Sequence, residues 1–372
     1  MQKIIIIGAG ILGASTAYHL AKQSAEVILV DREDSGQATD AAAGIVCPWL
    51  SQRRNKAWYQ LAKGGARYYP ELIAQLEADG EKDTGYKRVG ALSLHTDMEK
   101  LEHMAERARK RREDAPEIGE IKILSPLETK RLFPALSEEF GSVYISGGAR
   151  VNGRALCKAL IRSSIKHGVT FLKGNASLVC KNNRVIGIKL SEKMLFADQL
   201  IVTAGAWAYE LLQPLGVNFL VKPQKAQIVH LQIPKTDTSS WPVVMSPNNQ
   251  YLLTLENGRV IVGSTHENEA GFDTRVTAGG VNEILSKVLE TAPDLANCTF
   301  VETRIGFRPV APGFLPVAGA LPHYEGIFLA NGLGASGLTS GPYLGREIAK
   351  LVLGRQTEID LSSYDIAGAL KA

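Results

Sequence analysis

Residues 4–7 are four consecutive isoleucines bounded by Lys3 and Gly8. So short and uniformly apolar a run is typical of a strand buried on both faces of a parallel sheet. Residues 14–22 place Ala17, Leu20 and Ala21 on one side and predict a helix. Residues 27–30, Val-Ile-Leu-Val, predict a second strand that ends at Asp31. Strand, turn, helix and strand within about thirty residues make a βαβ unit.

The remaining pattern alternates between this type and a β-rich one. A helix is predicted around 56–79, strand-like residues over 88–95, and a charged helix from Met98 to about Asp114. Its basic run, 107–112, is interspersed with Glu102, Glu106, Glu113 and Asp114 and reads as a solvated face. Residues 153–168 predict a helix, and 169–203 several strands ending in Leu200-Ile201-Val202. Strands then dominate 219–305, at 226–232, 250–255 and 259–263, with one helix at 278–291. Asn257-Gly258 between the last two strands is a hairpin signal. A strand at 326–330, a glycine-rich loop at 331–340 and a helix at 341–353 follow. The pieces 1–85, 148–218 and 306–372 read as one α/β domain. The β-rich inserts 86–147 and 219–305 read as a second domain interleaved with it.

The turn after the first strand carries the earliest chemical signal. In Gly8-Ala9-Gly10-Ile11-Leu12-Gly13, Gly8 permits the tight turn and Gly10 lets a pyrophosphate approach the backbone. Gly13 lets the helix pack close to the strand. The helix N-terminus offers unpaired N–H groups and partial positive charge to the phosphates. Asp31 is placed to accept hydrogen bonds from ribose hydroxyls, and Arg32 beside it would suit a 2′-phosphate. This loop alone does not separate a nicotinamide from a flavin dinucleotide. A second strand-to-helix junction does: Asn331-Gly332-Leu333-Gly334-Ala335-Ser336-Gly337-Leu338-Thr339-Ser340. There Thr339 or Ser340 is expected to cap a helix with Pro342 in its first turn. Such a helix end would stabilise negative charge on a reduced flavin, so one extended FAD would span both loops.

Composition changes this picture little. The 372 residues are 45% hydrophobic and 22% charged, with net charge +4, which disfavours nucleic acid as the main partner. Cys47, Cys157, Cys180 and Cys298 are scattered without metal or redox spacing, so no metal site is expected. No stretch approaches the ~20 apolar residues of a membrane span. With no leader-like N-terminal segment, a cytoplasmic location is expected. Peripheral membrane contact and self-association are left open.

Several segments occur in an order that resembles the FAD-dependent D-amino-acid oxidase superfamily, which includes glycine oxidase, sarcosine oxidase and D-amino-acid dehydrogenase. These are the 8–13 loop, Asp31, Ala41-Ala42-Ala43-Gly44-Ile45, Val202-Thr203-Ala204-Gly205-Ala206-Trp207, Gly263-Ser264-Thr265, Gly306-Phe307-Arg308-Pro309 and the 332–342 loop. The resemblance covers nearly the whole chain. It implies a Rossmann-like FAD-binding domain interleaved with a substrate domain built on an antiparallel sheet, and non-covalent FAD. It implies that Ala42, Ala43, Gly44 and Ile45 run beside the flavin. Ser177, Leu178, Ala204, Gly205 and Trp207 would then lie at the adenosine end. Gly334, Ala335, Ser336, Gly337, Leu338 and Thr339 would line the ring, with Arg308 also near it. By the same likeness, Arg308 grips the substrate carboxylate and Tyr251 adds a hydroxyl to it. A planar guanidinium suits bidentate carboxylate binding. His266 is a tentative third substrate-pocket residue.

Two departures stand out. Where glycine oxidase is expected to carry a second basic side chain in the flavin loop, this chain has Ala335. After Arg308-Pro309, Ala311-Pro312-Gly313 replaces a common Thr-Pro-Asp. The expected activity is oxidative deamination of glycine, sarcosine or a D-amino acid by hydride transfer to flavin N5. An imine and then an oxo acid result, with oxygen reduced to peroxide. The alternatives are a dehydrogenase passing electrons to a quinone or carrier, an enzyme for a bulkier secondary amine, and a flavin-binding subunit without turnover.

Overall fold

The computed structural model describes residues 1–23 and 25–371. The first strand, Lys3–Ile7, is central in a six-stranded sheet. It pairs in parallel with Glu26–Asp31 on one side and Gln199–Val202 on the other. Thr170–Lys173 extends the sheet beyond Glu26–Asp31, and Ile327–Asn331 extends it beyond Gln199–Val202, both in parallel. Val317–Ala320 closes the edge as the one antiparallel member. All three residues Ile4, Ile5 and Ile6 are fully buried, because both faces of the parallel sheet are covered, one by helices and the other mainly by the strands Ala176–Lys181 and Arg184–Leu190. The helix Ile11–Ala21 is buried on every side, between the sheet and the helices Gly337–Val352 and Gly153–Lys166.

A second sheet of eight strands is mostly antiparallel. Its long members are Lys222–Gln232 and Thr299–Val310, paired antiparallel with Gln224 opposite Arg308. Tyr251–Thr254 and Arg259–Gly263 form the expected hairpin. Asn257 and Gly258 both adopt positive φ, 57° and 74°, as a tight hairpin turn requires. Ala91–His95, Gly141–Ile145, Ile121–Leu124 and Val243–Met245 complete the sheet. Strand Thr299–Val310 runs across position 305, so both sequence segments contribute to it. A smaller three-stranded antiparallel sheet covers Ala176–Lys181, Arg184–Leu190 and Lys193–Phe196.

Three local expectations need correction. The strand-like 88–95 segment is broken by Gly90, at φ +79°, into Lys87–Arg88 and Ala91–His95. The basic face of helix Met98–Arg112 is not wholly solvated. Arg111 turns inward, lies 4.6 Å from the Tyr59 ring centre and donates to the carbonyls of Trp49 (2.6 Å) and Ser51 (2.7 Å). The C-terminal helix begins at Gly337 rather than 341, so neither Thr339 nor Ser340 caps it and Pro342 lies inside it. Proline removes the N–H that would bond the carbonyl four residues back, that of Leu338. The Tyr69 hydroxyl, from helix Lys56–Ala78, donates to that carbonyl at 2.5 Å.

Candidate functional site

The 8–13 loop has the geometry its glycines predict. Gly8 sits at φ +103°, and a Cβ there would lie 2.5 Å from the Thr203 carbonyl oxygen. A Cβ on Gly13 would lie 1.8 Å from the Gly8 oxygen, so helix and strand touch through this residue. Gly10 differs: the only nearby atom is Thr39 Oγ1 at 3.4 Å. Its open side faces a cavity of about 530 Å³. Thr39 Oγ1 accepts from the Ile11 amide (3.0 Å), while Gly10 brings no capping side chain, so the helix end stays turned toward the cavity.

Asp31 closes this end of the cavity. It is 7% exposed and accepts from the amides of Ala9 and Glu33, both at 2.5 Å, and from Gln37 Nε2 at 2.7 Å. The carboxylate thereby fixes the turn as well as facing the space a ribose would fill. Arg32 also lines the cavity, but it pairs with Asp34 (2.8 Å) and Glu210 (3.4 Å). An arginine already matched by two carboxylates is a poor 2′-phosphate receptor, which favours FAD over NADP at this end.

The cavity runs from this loop to the second sheet. Its wall includes Gly8, Gly10, Ile11, Leu12, Ala42, Ala43, Gly44, Ile45, Ser177, Ala204, Gly205 and Trp207. Gly334, Ala335, Gly337 and Leu338 line it farther along, with Tyr251 and Arg308. Gly44, at φ +101°, brings its segment against Val151, whose oxygen would stand 1.8 Å from a Cβ. Asn331 ties two loops together: its Nδ2 donates to Gly205 O (2.9 Å) and its Oδ1 accepts from Gly332 N (2.7 Å). Four of the expected cofactor-binding residues lie outside the wall. Leu178 packs in the core under the first sheet. Ser336 accepts from Trp58 Nε1 at 2.8 Å, and Thr339 donates to Ile45 O at 2.9 Å. They hold the lining loops rather than face the cavity. Gly13 does the same through its contact with Gly8.

Arg308 is delivered by strand Thr299–Val310 and held by its neighbours. Its Nη1 donates to Gln224 Oε1 at 3.1 Å and its Nη2 to Ser264 Oγ at 2.6 Å. Gln224 is fixed in turn by donating to Asn268 Oδ1 at 2.7 Å. Each terminal nitrogen keeps a second N–H for a ligand. Burial lowers the Arg308 pKa, and the neighbouring Tyr251 counteracts this. Tyr251 stands beside Arg308 and Ser264; burial raises its phenol pKa, so it remains a neutral donor. Gly263 makes room for it, since a Cβ there would lie 3.0 Å from the Tyr251 hydroxyl. His266, two residues past Ser264, is exposed and outside the wall. Burial of part of its ring and the Arg308 charge lower its pKa, leaving it neutral at pH 7. Gln37, Thr39, Asn175 and Glu210 on the wall, and Gln224 beside Arg308, carry no motif of their own. Only Ser264 belonged to a segment noticed in the sequence.

A parallel sheet with a phosphate-type glycine turn, joined by a long cavity to an arginine on an antiparallel sheet, defines a dinucleotide-dependent redox protein. Residues 3–351 match the model of the DAO family, described as FAD dependent oxidoreductase, and the chain belongs to that family. It is 65% identical over 371 residues to an uncharacterized oxidoreductase, YurR, of Bacillus subtilis, each chain being covered completely. The structure of iminodiacetate oxidase from Chelativorans sp. BNC1 superposes with a TM-score of 0.95 at 45% identity, covering 97% of this chain and 98% of that one. Glycine oxidase of Pseudomonas aeruginosa is 30% identical over 99% of this chain and 100% of its own length. The protein is an FAD-dependent oxidoreductase of the type that acts on carbon–nitrogen donors. The glycine cradles at Gly8, Gly10 and Gly44 fit a long dinucleotide. Among the described residues there is no cluster of His, Cys, Asp and Glu suited to a metal, and no helix long and apolar enough to cross a membrane.

Proposed function

We propose that the protein oxidises the Cα–N bond of a small glycine-type amino acid: glycine, an N-substituted glycine such as sarcosine, or a D-amino acid. The observation that carries this reading is Arg308 at the end of the cavity, with one edge held by Gln224 and Ser264 and Tyr251 beside it. A carboxylate docked on the remaining N–H groups would have its position and its plane fixed, and the α-carbon would be oriented with it. Bound FAD supplies a two-electron acceptor for the hydride that leaves the α-carbon. As the C–H bond breaks, the amine lone pair forms the C=N bond, and the N–H proton is lost to solvent. Water then adds to the imine and releases an oxo acid and an amine or ammonia. An amine bound neutral needs no general base, so none is assigned.

Cofactor roles follow the same geometry. Gly8, Gly10, Ile11, Leu12 and Asp31 would hold the pyrophosphate and ribose, with Arg32, Ser177, Ala204, Gly205 and Trp207 toward the adenosine. Ala42, Ala43, Gly44, Ile45 and the 334–338 segment would flank the ring. Burial pushes the Cys47 thiol up to about 12, so it stays protonated, which supports FAD bound without a covalent link. The four unpaired thiols fit a reducing compartment such as the cytoplasm. The likeness to iminodiacetate oxidase supports secondary amines among these substrates. We also take the two-domain division of the sequence, 1–85, 148–218 and 306–372 against 86–147 and 219–305, as a proposal.

Anaerobic mixing of the FAD-loaded protein with a panel of glycine, sarcosine, iminodiacetate and D-amino acids tests this. At least one should bleach the flavin band; no reduction by any member would overturn the reading. Peroxide measured against dye reduction then separates dioxygen from a carrier as acceptor.

A further inference from the structure

We propose that Arg53 forms a second anion-binding arm of the substrate site, so that the preferred substrate is a secondary amine with a carboxylate at each end. This rests on the reading of Arg308 as the first carboxylate arm.

Where a basic side chain is expected, the flavin loop places only the methyl group of Ala335 on the cavity wall. The exposed Arg53, which lies outside the cavity wall, approaches the same loop through Trp58. The Arg53 guanidinium lies 4.7 Å from the Trp58 ring centre and 5.9 Å from that of Phe314. Its Nη2 donates to the Phe314 carbonyl at 3.3 Å. Trp58 in turn donates to Ser336, the residue between Ala335 and Gly337 of the cavity wall. Arg53 is therefore one aromatic ring removed from the loop whose own cation is missing.

The arginine is held but not neutralised. The segment carrying it follows the short strand Ile45–Val46, and Ile45 lines the cavity. Two carbonyls of the segment are pinned by Arg111, and Asn55 caps the helix that begins just after it. Arg53 is partly desolvated, and among the described residues no carboxylate pairs with it. Its Nε and Nη1 remain free to donate. A guanidinium fixed over an aromatic face and left with open donors is suited to an anion. Glycine itself has one carboxylate, which Arg308 would take. An N-substituent ending in a second carboxylate gives Arg53 a partner, and iminodiacetate has that form. A purely structural Arg53 would instead serve only to pin the turn at Phe314.

The test uses the FAD-loaded protein as wild type, R53M, R53K and R308L, with flavin content and melting checked for each. Binding is followed through perturbation of the flavin spectrum by glutarate, which has the length of iminodiacetate and two carboxylates, and by butyrate, which has one. Turnover is compared for iminodiacetate and N-methylglycine. R53M should weaken glutarate roughly 10–100-fold, the range for losing one charge-assisted contact. Its effect on butyrate should be at least about 5-fold smaller, and R53K should recover part of the loss. The KM for iminodiacetate should rise with little change in kcat, whereas R308L should weaken both ligands. Equal effects of R53M on one- and two-carboxylate ligands, or no effect, would overturn the assignment of Arg53 while leaving Arg308 in place. Insensitivity of both ligands to R308L would overturn the site reading and this inference with it.

Discussion

At the scale of single residues, the candidate site depends on side chains that hold other side chains. Arg308→Leu removes the charge and the planar fork together. We expect KM for every carboxylate substrate to rise roughly 100-fold or more, as loss of a paired charge-assisted contact implies. Steady-state kinetics on two unrelated amino acids would check this, and unchanged KM would dismiss the assignment. Gln224 does not touch substrate in this scheme; it fixes one edge of the guanidinium. Gln224→Leu should therefore raise KM about 5–30-fold while kcat moves less than about 3-fold, since a neutral hydrogen bond in a buried network is worth about 1–2 kcal/mol. Gln224→Glu is the sharper probe. Its carboxylate would satisfy Arg308 and repel the substrate carboxylate, so KM should rise further than in the leucine variant. A milder effect of glutamate than of leucine would mean that Gln224 acts through packing alone.

Among the elements, glycines of one motif separate by task. In Gly13→Ala the new methyl meets the Gly8 oxygen at 1.8 Å, so helix Ile11–Ala21 must move off strand Lys3–Ile7. The FAD-free protein should lose several kcal/mol in urea melts. Gly10 has extended backbone, φ −62° and ψ 179°, that alanine adopts freely, and open space beside it, so Gly10→Ala should melt as wild type in the FAD-free protein while flavin content after dialysis falls. Equal destabilisation by both would contradict this division. Tyr69→Phe leaves the Leu338 carbonyl without a donor, because Pro342 cannot supply one; a loss of about 1–3 kcal/mol is expected. These elements also mark what the sequence can reveal. The isoleucine strand, the Asn257-Gly258 hairpin and the 278–291 helix were legible because their signals are local. The start at Gly337 was not, because the partner that makes an interior proline tolerable lies 269 residues away. The wall residues were legible where glycine patterns marked them. The grip on Arg308 was not: Gln224 comes from another strand and Ser264 from just past the end of one, 84 and 44 residues distant.

Across the whole molecule, the covering of both sheets leaves two histidines without water and gives stability a direction with pH. His19 lies in the fully buried helix Ile11–Ala21, 2.9 Å from the Tyr68 hydroxyl. Burial, and then the charges of Arg346, Lys22 and Lys350, lower its pKa to about 3. His230, on strand Lys222–Gln232, which lies next to the edge of the second sheet, is lowered to about 4 by burial and then by Arg304. Both rings are neutral in the native state wherever the unfolded chain, with an ordinary pKa of 6.5, begins to protonate. Above pH 6.5 neither histidine makes stability depend on pH. Below it the unfolded state binds protons that the native state refuses, so stability falls as pH falls. The slope approaches about 1.4 kcal/mol per pH unit for each group until its native pKa is reached. Buried carboxylate pairs add their own acid losses, so the wild-type slope alone does not isolate the histidines. The difference does. Urea unfolding of the FAD-loaded protein at fixed FAD should show His19→Gln and His230→Gln each with a shallower loss between pH 6.5 and 4.5 than wild type. The double variant should be shallower still, since one site lies on a helix against the first sheet, the other on a strand of the second, and they share no titrating partner. Parallel curves for all four proteins would mean that neither histidine is held neutral by the fold.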